Sequence, residues 1–273
     1  MPAIPVLSDP VPKAIAALRA QIEAIEHCGR SAGRGVLPFG IDEVDGRLAG
    51  GGLAIGLHEA ASAGPSPNDE AAATLFVAAL AARFSRLEDR SQILWALTSR
   101  DLFAPALAQA GLPPDRILYA ECRNDEEALA VMEEGIRHGS LAAVVGEVGR
   151  ASMTATRRLQ LAAEEGGTAA LLRRRWKKSQ ADPLDMPSAA LSRWRIACRP
   201  ASPLPLDRQG PFAAIGPFEG LGRPCWEVAL VRQRGGPPHT WFLEAPDAEA
   251  RLALSARSGD RPDQADRASS IAA

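Results

Sequence analysis

Small residues lying between a short apolar stretch and a helix-forming one are where a protein can hold phosphate, and His58 to Phe76, HEAASAGPSPNDEAAATLF, has that setting. The residues before it, LAGGGLAIGLHEAA, read as a glycine-marked turn leading into a short strand; those after it, DEAAATLFVAALAARF, read as a helix. Holding a nucleotide there takes Gly-Lys-[Ser/Thr] at the end of the loop, so that backbone N–H groups, an ammonium and a hydroxyl meet phosphate and magnesium. The loop reads AASAGPSPNDE instead, with Ala60, Gly64, Ser66 and Asp69 marking the degenerate positions. Lysine occurs only at Lys13, Lys177 and Lys178, so none follows a glycine-rich loop.

The helix start is equipped to satisfy itself. Ser66 can accept from its free N–H groups, Pro67 suits the first helical position, and Asp69 and Glu70 oppose the positive end of the helix dipole. Such side chains contribute about 0.3–1 kcal/mol each and would repel a triphosphate.

A second constellation is the run Arg173, Arg174, Arg175, Trp176, Lys177 and Lys178, expected in a loop after the fifth parallel strand. Three readings stand. Cations on phosphates with the indole stacked on a base would make a single-stranded DNA contact of strong salt dependence. The same charges could dock on an acidic protein surface, or merely keep a solvated loop soluble with Trp176 at the core edge. Arg193 and Arg195, alternating on the next strand candidate, either extend that patch or belong to an ordinary exposed strand face.

Other chemistry is not announced. Cys28, Cys122, Cys198 and Cys225, like His27, His58, His138 and His239, are too scattered for a zinc or redox spacing, and the His27–Cys28 adjacency is read as chance. No G-x-S-x-G elbow is present, although catalytic triads assemble only in the fold. No metal or cofactor is expected.

The elements that must position these residues follow from periodicity. The chain has 273 residues, 46% apolar and 23% charged, with a net charge of −2, which describes a soluble globular protein and no polycation. No apolar run approaches the roughly 20 residues of a membrane helix, and the N-terminus lacks the basic start and apolar core of a signal peptide, so a cytoplasmic address is expected. Residues 1–35 read as an amphipathic helix, with Ile15, Leu18, Ile22 and Ile25 on one face, followed by a linker, GRSAGRG. That helix either packs on its own domain or fits a groove on a partner.

Residues 36–250 read as one α/β domain. Strands are expected at Leu53–Leu57, Gln92–Leu97, Ile117–Ala120, Leu141–Val148 and Thr168–Leu172, with helices at Ser66 to about Phe84, Leu102–Ala110, Asp125–Arg137 and Met153–Ala163. This alternation indicates a mostly parallel sheet with helices on both faces. Ser192–Arg199, Trp226–Gln233 and His239–Glu244 come without helices between them and read as an antiparallel C-terminal extension. Trp95, Trp194, Trp226 and Trp241 fall on strands and are assigned to the core. Residues 251–273 have little to bury and are expected to be a disordered tail.

The segment FGIDEVDGRLAGGGLAIG resembles the entry to a RecA-type core, and with AVVGEV (Ala143–Val148) and WEVALVRQRGG…HTWFLE (Trp226–Glu244) it resembles the ImuA family of RecA-like, damage-inducible mutagenesis proteins. The resemblance covers about Leu37 to Glu244. It implies a RecA-like core and an accessory role in SOS-induced translesion DNA synthesis, alongside the polymerase-like protein ImuB, an error-prone C-family polymerase and RecA as a further contact. It also implies where an active relative would do chemistry, and the chain departs there. The position of the magnesium-holding aspartate is Gly146, with Glu147 one residue on and facing the other side of the strand. Where a catalytic glutamate would follow the second strand stands TSRDLF, with Asp101 a weak substitute. With the loop lysine, the hydroxyl and the aspartate all missing, the expectation is a pseudo-ATPase with no catalytic residue. Rival expectations are an ATPase with an unusual loop, a cell-division inhibitor of the SulA type, and a single-stranded DNA-binding module.

Overall fold

The computed structural model describes residues 35–87, 92–176, 181–201 and 222–255. The predicted N-terminal helix and its linker, Lys177, Lys178 and most of the predicted tail lie outside these residues.

In chain order the described elements are α1 (Asp42–Asp45), β1 (Leu57–Ser62), α2 (Pro67–Leu87), β2 (Ile93–Leu97), α3 (Ala104–Gln109), a 3-10 turn (Pro114–Arg116), β3 (Ile117–Glu121), α4 (Asp125–His138), β4 (Ala143–Val148), α5 (Met153–Gly166), β5 (Ala169–Arg174), β6 (Ser192–Arg199), β7 (Cys225–Gln233), β8 (His239–Glu244) and β9 (Ala253–Leu254). The strands form one sheet in the order β3-β2-β4-β5-β1-β6-β7-β8-β9. The first five strands are parallel, and β6 to β9 run antiparallel to one another. The expected α/β architecture with an antiparallel C-terminal region is therefore present, with one correction. β6 runs parallel to β1 (Glu59 opposite Arg193), so the antiparallel part begins at β7.

Two further boundaries move. The first strand is not Leu53–Leu57 but LHEAAS, Leu57–Ser62, all six residues buried. Leu53 makes only an isolated bridge to Leu37. Small side chains at Ala60, Ala61 and Ser62 fit the tight space between the sheet's two helical layers, and periodicity cannot tell such a stretch from a loop. The domain also runs past residue 250. Leu252 is buried and β9 pairs with β8, which places the start of the predicted tail in the sheet.

Strand alternation divides the molecule. Residues such as Ala60, Trp95, Val145, Leu171 and Trp194 face α2 and form one core; Leu57, Ala96, Val144, Leu172 and their neighbours face α4 and α5 and form the other. α2 starts at Ser66, whose Oγ accepts from the Asp69 N–H (3.2 Å). It is buried nearly all round by alanines and by Phe76, Val77, Leu80 and Phe84. α4 is capped by Asn124 and α5 by Ser152, and both end on left-handed glycines, Gly139 and Gly167.

The FGIDEVD segment serves packing. The Asp45 carboxylate accepts from the N–H groups of Phe39 (2.6 Å) and Gly40 (2.8 Å), folding the chain so that Phe39 stacks at 6.3 Å on Phe76 and at 5.5 Å against Trp194. Trp241 extends that aromatic column from Trp194 at 6.1 Å. All four strand tryptophans are buried, as expected of core.

Candidate functional site: a closed ionic layer at the carboxyl edge of the sheet

Ligands of open parallel sheets bind outside the carboxyl ends of the strands. In this protein β1, β5, β4 and β2 end there at Ser62, Arg174, Val148 and Leu97, beside the N-terminus of α2. With β1 running to Ser62, the loop shrinks to Ala63–Ser66, and Ala60 lies inside the strand.

On the α2 face, the start of the helix is bound to the protein's own groups. Glu70, in the first turn, accepts from Ser62 Oγ (2.5 Å) and Arg173 Nη2 (2.7 Å). Arg173 also donates to Thr74 Oγ1 (3.0 Å) and to the Glu70 carbonyl (2.9 Å), leaving it 1% exposed. Asp69 accepts from Ser66 Oγ (2.8 Å) and from the Cys198 N–H (2.6 Å), tying the helix start to β6. A guanidinium supplies the positive charge and a carboxylate the negative one, with no space left between them.

Toward β2 the layer continues. Glu147 is buried on the α2 face, where Trp95 Nε1 donates to it at 2.8 Å and Arg175 Nη1 at 2.9 Å. Arg175 also forms a two-pronged bridge to Asp101. That bridge holds the Asp101 carboxyl below its usual range, and Asp101 in turn pushes the Arg175 guanidinium up. Trp176 donates from Nε1 to the Ser62 carbonyl at 3.0 Å and closes the top of β1. Gly146 faces the other way: a Cβ there would lie 2.1 Å from Met132 Sδ on α4. The expectation that Gly146 holds the aspartate position and Glu147 is turned away is thereby corrected: Glu147 is the side chain on the α2 face, and an acidic side chain at 146 would point into core.

The opposite face carries a second cluster. Glu59, fully buried in β1, accepts from Arg174 Nη1 (3.1 Å) and Arg193 Nε (2.7 Å). Burial lowers the Arg174 pKa, and its Nε is buried without a partner. Arg193 also donates to the Met186 carbonyl at 2.9 Å, and Arg195 pairs with Asp182. His58, on the α2 face toward the amino end of β1, engages Ser192 Oγ through Nδ1 (2.7 Å) and the Ala54 carbonyl through Nε2 (2.8 Å), and burial lowers its pKa to about 4.

The expected cationic loop is thereby corrected. Arg173 and Arg174 are strand residues, and with Arg193 they are buried in ion pairs, because strand alternation sends them to opposite faces where Glu70 and Glu59 stand. Arg175 keeps partial exposure within its two bridges, Trp176 lies against β1, and Arg195 is tied to Asp182. The residues sequence reasoning missed are Glu59, Glu70 as a counter-ion, and Trp95. Glu59 did leave a signal: a carboxylate inside a continuously buried strand requires a cation.

Among the described residues no group of three or more His, Cys, Asp and Glu side chains is arranged to hold a metal, and no helix is long and apolar enough to cross a membrane.

No family profile matches the chain. Protein ImuA of Caulobacter vibrioides, from strains NA1000 and ATCC 19089 alike, is 39% identical over 220 residues, covering 78% of this chain and 84% of that protein. Among solved structures, SulA from Pseudomonas aeruginosa aligns with 44% of this chain and 98% of its own at 24% identity and a TM-score of 0.38, too distant to carry any argument. Identity of that order, spread over most of both chains, settles the relationship: the chain belongs to the ImuA family.

Proposed function

We propose that this protein is a non-catalytic, RecA-like accessory component of SOS-induced translesion DNA synthesis, a pseudo-ATPase working in the cytoplasm as a scaffold. One observation supports the non-catalytic reading: Arg173 and Glu70 form a buried ion pair beside the first turn of α2, where a phosphate loop would need room for phosphate. A triphosphate entering there would have to break a pair whose arginine is 1% exposed, while meeting Glu70 and Asp69. The ImuA membership supports the damage-inducible setting. From it we take the partners: an ImuB-like protein, an error-prone C-family polymerase, RecA as a further contact, and single-stranded DNA handled by the assembly.

The test joins calorimetry to co-purification. Titration of the full chain with ATP and magnesium is expected to give no heat of binding and no turnover. Complex formation with the ImuB-like protein of the same organism is expected to be indifferent to ATP. Saturable ATP binding, or a complex that forms only with ATP, overturns the reading.

A further inference from the structure

The sheet has two outer strands, and they are not alike. β9 is two residues long, whereas β3 offers five, Ile-Leu-Tyr-Ala-Glu, without proline, lysine or bulge. Leu118 and Tyr119 on it are 50% and 45% exposed, on opposite faces of the sheet. Outer strands are normally blunted by charge, proline or brevity, because their free N–H and C=O groups invite another strand. Here the free groups can be identified. The Cys122 N–H donates to the Leu97 carbonyl of β2 at 2.8 Å, so Leu118, Ala120 and Cys122 turn their backbone groups inward. Tyr119 and Glu121 turn theirs outward, as Ile117 turns its carbonyl, its N–H being held by the Pro114 carbonyl, and among the described residues no strand pairs with them.

We propose that this edge pairs antiparallel with β3 of a second copy of the chain, on a two-fold axis at Tyr119. The strand is self-complementary in that register. Tyr119 stands opposite the partner's Tyr119, and Ile117 opposite the partner's Glu121, so that both backbone groups of Tyr119, the Glu121 N–H and the Ile117 C=O gain partners, while the Ile117 N–H stays with the Pro114 carbonyl; a shift by two residues leaves one opposed pair fewer. On the other face, the large Leu118 stands opposite the small Ala120 of the partner subunit. The one charge in the strand, Glu121, is already neutralised by Arg100 at 2.9 Å. A second copy therefore satisfies the free backbone groups and fits in volume, and the result is one sheet continuous across two molecules.

Sedimentation of the full chain is expected to show a reversible dimer of twice the 28.8 kDa monomer. Cysteine cross-linking fixes the register. Tyr119→Cys sits against itself at about 5.5 Å between Cα atoms, within disulfide reach, and is expected to cross-link under mild oxidation at least about tenfold faster than Leu118→Cys or wild type. A second pair does not touch Tyr119: Leu118→Cys mixed with Ala120→Cys is expected to cross-link while neither does alone. A mass that stays at one chain overturns the proposal. So does a dimer in which both cysteine tests are silent, or equal cross-linking at 118 and 119.

Discussion

Arg173 and Arg174 are adjacent on β5 and buried on opposite faces of the sheet, each against its own glutamate: Glu70 on the α2 side and Glu59 on the α4–α5 side. Each glutamate also has a second donor, Ser62 for Glu70 and Arg193 for Glu59. A double arginine that reads as a solvated patch is in this way a pair of rivets joining β1, β5, β6 and α2.

The rivets differ in depth, and substitution is expected to show it. Glu59→Gln leaves Arg174 and Arg193 facing each other with no carboxylate between them, in a site closed to water. The expected cost is about 3–5 kcal/mol, read as a lower denaturant midpoint at unchanged slope. Glu70→Gln, in a site 18% exposed, is expected to cost clearly less. Equal costs, or a Glu59→Gln penalty under about 1 kcal/mol, would mean that the lower pair contributes no more than a surface bridge.

Much of this was legible in the sequence, and the failures share a physical cause. α4 and α5 were legible as helices alternating with strands, and the order of elements is that of a mostly parallel sheet with helices on both faces. What escaped is wherever a charged or very small residue lies in a strand. LHEAAS lacks branched side chains, and the two arginines ending AALLRR have the composition of a loop. Period-two alternation alone does not say that a carboxylate waits on each face. Such pairing belongs to tertiary structure, since Glu59 and Arg174 are 115 residues apart. The β3 edge escaped for a related reason: nothing in ILYAE tells an outer strand from an inner one.

Gly146 gives a sharp test of packing between β4 and α4. A Cβ there meets Met132 Sδ at 2.1 Å, so Gly146→Ala is expected to destabilise by about 1–3 kcal/mol through overpacking. Gly146→Asp should cost more and confer neither metal binding nor ATP turnover. Combining Gly146→Ala with Met132→Ala should recover part of the loss, as expected for residues in contact. Additive penalties in the double variant would place the strain elsewhere.

Ser66 tests the helix start. Its Oγ accepts from the Asp69 N–H and donates to the Asp69 carboxylate, so Ser66→Ala removes a cap and loosens the carboxylate that holds the Cys198 N–H. The expected loss is about 1 kcal/mol, with Ser66→Asn nearly neutral. The same order of stabilities measured with and without ATP would show that the cap serves folding alone.

The last expectation concerns acid. His58 is buried with its pKa lowered from 6.5 to about 4 by desolvation, so it stays neutral when folded while the unfolded chain takes up its proton below pH 6.5. The unfolded state then binds more protons between about pH 6.5 and 4, and stability must fall as pH drops through that window. A shift of this size is worth at most about 3 kcal/mol, reached near pH 4 and absent above about pH 7. In His58→Gln this part of the slope should vanish, since the amide can still donate to the Ala54 carbonyl but has no proton to gain. Denaturant midpoints at pH 7.5, 6, 5 and 4.5 for both proteins check it. Parallel curves would show that the acid sensitivity does not come from His58; Asp101, its pKa lowered by Arg175, should respond only at lower pH.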